Sequence, residues 1–202
     1  MTTARRTRMS PQARRDQLIS HGLRMLEDRA LDEVSVEEVA EAAGVSRALL
    51  FHYFESKQDF LVALTTEQSR RMLERTEPDL TLGDPIAIAR GSLAAYIDYV
   101  SANRSAYLAI LQGAGASDPA MRKVADDTRT VMAERVLGLA ALLDLHRTPI
   151  IELAVHGWVT FSEQVTVRWL QDEGGVGRDE IVELIARSLP VLATLAADPT
   201  LR

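Results

Sequence analysis

The 202-residue chain predicts an all-α fold. Three observations predict it. Apolar residues recur with the helical period of 3.6 almost throughout, and no run alternates with period two. Helix-start chemistry also repeats along the chain, with Ser, Thr or Asp at the N-cap and, three times, proline directly after it. About nine helices are expected, divided into an N-terminal domain at residues 1–57 and an all-helical domain at 58–202.

Taken in order, Leu18, Ile19, Gly22, Leu23, Met25 and Leu26 form one apolar stripe on a first helix of roughly 11–29. Ser35 and Glu38 have the spacing of a capping box. Behind them Val36, Val39, Ala40 and Ala43 repeat at helical spacing until Gly44, whose tolerance of a left-handed backbone ends the helix. Ser46 caps a short third helix ending near Phe54, and Ser56 a fourth that runs toward Leu73. The stretch 78–85, with Gly83 and Asp84 inside it, is a linker. Asp84-Pro85, Asp118-Pro119 and Thr148-Pro149 then open helices of about 85–102, 119–144 and 149–173, with a short helix near 104–112. Gly113, Gly115 and the Gly174–Gly177 cluster are turns, not phosphate loops, because no strand precedes them. The last helix spans about 179–197, and Pro190 within it is expected to kink or shorten it.

Composition excludes several classes of chemistry. No cysteine is present, so thiolate catalysis, disulfide scaffolds and cysteine-ligated zinc are ruled out. No cofactor loop appears, and no cofactor is expected. Glu152 and His156 lie four apart, but a metal site needs a third ligand and none is expected; His146 merely precedes the helix. No apolar run approaches the roughly 20 residues of a membrane span. The arginine-rich start is not followed by an apolar segment, which points to a cytoplasmic protein without membrane attachment. The formal charge of -6 argues against a polyanionic partner, yet it is segregated. Arg5, Arg6, Arg8, Arg14 and Arg15 give the first 15 residues +5, and residues 1–57 sum to zero. All the excess acid lies in residues 58–202.

Residues 34–57, VSVEEVAEAAGVSRALLFHYFESK, read as a capped helix, a glycine turn and a second short helix, the layout of a helix-turn-helix. On the second helix 100° per residue buries Leu50 and Phe54. It turns Ala48, Leu49 and His52 outward, with Arg47, Phe51 and Tyr53 on the flanks. A solvated face normally carries Glu, Lys and Gln. Small residues edged by an arginine and aromatics suit close approach to a groove, where Arg47 can fork onto a guanine edge. Lys57, at the start of the next helix, is placed to hold a phosphate with that helix N-terminus.

The run from Val39 to Ser46, the F-H-Y-F of Phe51 to Phe54, and Ser56-Lys57 resemble the DNA-binding domain of the tetracycline-repressor (TetR) family of transcriptional regulators, over about residues 12–64. The resemblance implies a nine-helix homodimer that binds a palindromic double-stranded operator. Its recognition helices would meet successive major grooves about 34 Å apart. It places base and phosphate contacts on Arg47, Ala48, Leu49, Phe51, His52, Tyr53 and Lys57, with Ser35 and Val36 near the backbone. Phe51 and Leu49 depart from the hydroxyl-bearing residues many members carry there, so sugar packing and a thymine-methyl contact are expected instead. The later helices would enclose a pocket for a small apolar effector, neutral or acyl, that releases a repressor from DNA. The last two would pack against a second copy. Tyr96, Tyr99, Tyr107, Trp158 and Phe161 are the candidate pocket walls. The alternative is an all-helical enzyme using Glu and His acid–base groups in the C-terminal domain.

Overall fold

The computed structural model describes residues 9–27, 29–112, 117–142, 146–172 and 174–197, with the side chains at 140 and 141 set aside. Arg5, Arg6, Arg8, Gly113 and Gly115 therefore lie outside the described residues. Among those described there are nine α-helices and no strand. They are α1 (Pro11–Met25), α2 (Val36–Ala42), α3 (Arg47–Tyr53), α4 (Lys57–Arg75), α5 (Pro85–Ala102), α6 (Arg104–Gln112), α7 (Pro119–Ala141), α8 (Pro149–Gln171) and α9 (Arg178–Ala196). Short 3₁₀ turns at Leu31–Glu33 and Leu80–Leu82 sit in the connections after α1 and α4.

The expected caps are the observed ones. Ser46 accepts from the N–H of Leu49, Ser56 from Asp59, Asp84 from Ile86 and Ala87, and Thr148 from Ile151. Gly44 has φ +67°, and the N–H groups of Gly44 and Val45 return to the carbonyls of Glu41 and Ala40. This Schellman closure fixes the tight turn between α2 and α3. The capping box is only half made. Ser35 accepts from the N–H of Glu38 at 3.3 Å, but the Glu38 carboxylate is drawn to the guanidinium of Arg29, a stronger donor than a backbone amide. The first helix stops at Met25, short of residue 29, because the chain turns to bury Leu26 and Leu31 in the core. Pro190 does not shorten α9: its ring is exposed and the helix continues to Ala196.

Two apolar clusters organise the molecule. The first joins Leu18, Leu23, Val34, Val39, Leu50 and Phe54 to Phe60, Leu61, Ala63 and Leu64 of α4, and it also takes Ala106 of α6 and Met121 of α7. The second gathers Met72 of α4 with Leu93, Ile97, Val100, Leu137, Val155, Trp158, Val159 and Ile185. The expected boundary after residue 57 coincides with the start of α4; the clusters themselves divide within α4. One 19-residue helix thus belongs to both.

The contact that seats α4 on α1 leaves no room for a side chain at Gly22. A methyl group there would lie 2.7 and 2.8 Å from Leu64 Cδ2 and Phe60 Cζ. Gly22→Ala should destabilise the protein by about 1–2 kcal/mol, overpacking outweighing the gain in helix propensity. Gly91→Ala, on α5 with nothing within 4 Å of the added carbon, should hold or raise stability. Thermal denaturation of both variants measures this. A Gly22→Ala protein that melts at or above the parent temperature contradicts the packing.

Candidate nucleic-acid interface

The α2–α3 turn places α3 on the surface of the N-terminal core, anchored by Leu50 and Phe54, which are fully buried. The two anchors lie one helical turn apart, so the opposite face is set outward. Arg47, Ala48 and His52 are exposed on it, and Lys57 is exposed at the start of α4. Leu49, Phe51 and Tyr53 are half-buried, the two aromatics packing back on the core. The Val36 side chain is 3% exposed, because it is the first apolar residue of the α2 stripe, so only its backbone can face a phosphate. Ser35 is half-buried, and its hydroxyl is committed to the cap and to Glu37.

The cationic groups at this surface already have partners. Arg47 Nε is 2.8 Å from Glu37 Oε1, and its guanidinium lies 5.2 Å over the Phe51 ring. The backbone N–H at Glu37, Arg47 and Ser35 hold the Glu37 carboxyl below the usual carboxylate range. Lys57 Nζ donates to the carbonyl of Asp32 at 2.9 Å, tying the first 3₁₀ turn to α4. At the same helix start Asp59 accepts from the N–H of Glu55, which sets a carboxylate beside any phosphate bound there. Two of the five arginines of the first 15 residues, Arg14 and Arg15, belong to α1. Arg15 stacks 5.0 Å over Phe54, and Arg14 donates to Gln17. The Glu37–Arg47 pair is not legible in the sequence, because the two residues are ten apart and meet only where the glycine turn folds α2 beside α3.

A second feature lies among α4, α5, α6, α7 and α8: a cavity of about 130 Å³ whose walls are mostly apolar. A water needs roughly 10–15 Å³ on the same measure, so the space is that of a small molecule. Tyr96, Tyr99, Tyr107 and Trp158 line it. Phe161 does not. It is 39% exposed on the outer face of α8, beside Leu184 and Val191 of α9. The tyrosine hydroxyls are engaged within the protein: Tyr96 with Tyr107, and Tyr99 with the Gln68 carbonyl at 3.1 Å. Burial pushes all three phenols up, Tyr99 to about 12, so they remain neutral. Trp158 Nε1 donates to Ser188 Oγ at 2.9 Å and to the Ile185 carbonyl, joining α8 to α9.

Charged residues also reach this cavity, which apolar patterning could not show. Arg129 grips Glu163 with two hydrogen bonds of 3.0 and 2.7 Å across α7 and α8. Arg135 Nη1 donates to the Leu73 carbonyl at 2.8 Å and to Thr76 Oγ1 at 3.3 Å, at the C-terminal end of α4. Glu152, weighed earlier as a metal ligand, is bound instead by Arg147, which also grips Glu134.

The family model for bacterial regulatory proteins of the tetR family matches residues 18–64, and that for the tetracyclin repressor-like C-terminal domain matches residues 87–192. The transcriptional activator FasR of Mycolicibacterium smegmatis is 25% identical over 183 residues, covering 89% of this chain and 82% of its own. The structure of a tetR-family regulator from Streptomyces coelicolor superposes with a TM-score of 0.79 at 27% identity, over 94% of this chain and 84% of that one. FadR of Thermus thermophilus, a repressor solved in complex with lauroyl-CoA, shares the fold, with a TM-score of 0.66 at 19% identity over 87% and 93% of the two chains.

The pairing at Arg47 makes a measurable prediction. Glu37→Gln removes a charge that competes with phosphate and frees the guanidinium. It should tighten binding to DNA several-fold and steepen the slope of log affinity against log salt by up to about one. Fluorescence anisotropy of a labelled duplex across a salt series measures it. Weaker binding by Glu37→Gln would show instead that Glu37 accepts from a base.

Proposed function

The chain belongs to the tetR family of bacterial regulatory proteins, and from that premise we propose that it is a repressor that leaves a palindromic operator when a small apolar effector occupies its cavity. It is a DNA-binding transcriptional regulator. On this reading Arg47, Ala48, Leu49, His52 and Tyr53 enter the major groove. Phe51 packs on sugar, while Lys57, Ser35 and the backbone at Val36 meet phosphates.

One observation carries the coupling. The first half of α4 is built into the core that seats the recognition helix, and Gln68, Ser69 and Met72 in its second half line the cavity with Thr76 at its C-cap. An effector that alters the cavity wall therefore acts on the helix that positions the N-terminal domain. Helix α6 runs in parallel: Tyr107 and Ile110 line the cavity, while Ala106 and Ile110 pack on the N-terminal core. The effector can shift the equilibrium only by its differential affinity for the two arrangements.

Homodimerisation through α8 and α9 is supported by their outer face. Leu153, Phe161, Leu184, Val191 and Leu195 are exposed there, around a groove floored by Ala154 and Gly157 and rimmed by Glu180, Glu183 and Arg187. Apolar residues so concentrated on two adjacent helices are typical of an interface. Acyl chemistry for the effector is supported by the apolar walls and by the lauroyl-CoA bound to the Thermus thermophilus repressor. The Mycolicibacterium smegmatis relative is named an activator and the Thermus thermophilus one a repressor; the repressor reading of this chain follows the second.

The test is titration of DNA containing the bound site, selected in vitro, with and without lauroyl-CoA. Affinity should fall steeply with salt, and saturating lauroyl-CoA should weaken it by about 5- to 150-fold, the usual range of allosteric coupling. Affinity indifferent to salt would sink the DNA reading; affinity indifferent to lauroyl-CoA and to other acyl ligands would sink the effector reading.

A further inference from the structure

Many hydroxyl groups inside the helices of this protein bond back to their own helix. Thr65, Ser101, Thr128, Ser162 and Thr166 each donate to the carbonyl four residues earlier, at 2.7 to 3.0 Å. Ser92 does not. Its Oγ is enclosed and has no hydrogen-bond partner, the one such side-chain atom among the described residues, and Ser92 lines the cavity. An enclosed hydroxyl without a partner is costly, so this one calls for a partner that the cavity it lines can admit.

Its place along the cavity follows from helix register. Tyr99 of α5 reaches the Gln68 carbonyl of α4, and the two helices are consecutive and antiparallel. Ser92 lies seven residues before Tyr99, about 10 Å along the axis. That brings it level with the last turn of α4, where Arg135 is docked on Leu73 and Thr76. Arg135 also lines the cavity. Both of its hydrogen bonds leave from Nη1 and end on uncharged oxygens, and no carboxylate of a described residue pairs with it. The other arginine in the wall, Arg129, is neutralised by Glu163. One end of an otherwise apolar space therefore offers a hydroxyl and an uncompensated positive charge.

We propose that Ser92 and Arg135 receive an acyl oxygen, and that the effector lies with its polar end at the last turn of α4. Its chain then runs along Leu93, Met132, Val136 and Trp158. This rests on the effector reading above and adds the ligand class and its orientation. The shared chemistry is a carboxyl or carbonyl oxygen at the end of an alkyl chain, supplied by a free fatty acid or by an ester or thioester of one. A ligand oxygen would share the Arg135 guanidinium with Leu73 and Thr76, which take only Nη1, so the group that recognises the effector is also the one that clasps α4.

The experiment titrates the full-length protein with decanoate and with methyl decanoate, read by tryptophan fluorescence and calorimetry, and repeats both with Ser92→Ala. Loss of the serine hydrogen bond should weaken binding about 3- to 10-fold. The unliganded variant should melt about 2–6 °C higher, because an unsatisfied buried hydroxyl has been removed. These opposite signs separate ligand recognition from a packing role, which would lower both or neither. Tighter binding of decanoate identifies the free acid as the source, and tighter binding of the methyl ester an esterified one; either supports the proposal. Affinity of Ser92→Ala within twofold of the parent for both ligands overturns it and leaves the effector reading intact. Failure of the parent protein to bind either ligand overturns both.

Discussion

The structure depends on one helix being shared by two cores. Phe60 and Leu64 of α4 are fully buried against α1, and Met72, three turns from Phe60, belongs to the cluster around the cavity. A helix is stiff over this length, so a displacement at one end is carried to the other instead of being absorbed between them. The close approach at Gly22 fixes the first end, and Arg135 fixes the second through the Leu73 carbonyl and Thr76. The cavity wall and the core that seats α3 therefore share one helix.

Electrostatics at the DNA-facing surface is less simple than a basic patch. Arg47 and Lys57 are the cations carried by α3 and the start of α4, and each is engaged within the protein, with Glu37 and with the Asp32 carbonyl. Exposed pairs of this kind contribute on the order of 0–1 kcal/mol, which many phosphate contacts exceed. The result is a surface whose affinity is tempered by its own acids.

Much of this was legible in the sequence because it rests on local rules. Caps at Ser46, Ser56, Asp84 and Thr148, the left-handed Gly44 and the stripe of Val36, Val39, Ala40 and Ala43 are each decided by a few neighbouring residues. Four of the five aromatic residues expected in the cavity wall line it. Phe161 fails because a helical stripe shows that a residue is apolar, not which of two apolar faces it occupies; α8 has one face toward the cavity and another toward solvent. Glu38 turning to Arg29, Glu37 to Arg47, and Arg135 to the end of α4 are likewise hidden. Such contacts depend on tertiary geometry, and long charged side chains choose partners that spacing does not reveal.

The central claim is that cavity occupancy changes the separation of the two recognition surfaces in the dimer through α4. Because the chain has no cysteine, Glu41→Cys on the exposed side of α2 gives a single spin label per protomer. The most direct measurement is the distance distribution between the two labels, by pulsed electron paramagnetic resonance, with and without saturating decanoate. Binding is followed in the same samples by tryptophan fluorescence. The account predicts a shift of the distribution by several ångströms when decanoate binds, away from that seen with operator DNA. Superimposable distributions with decanoate demonstrably bound would contradict it.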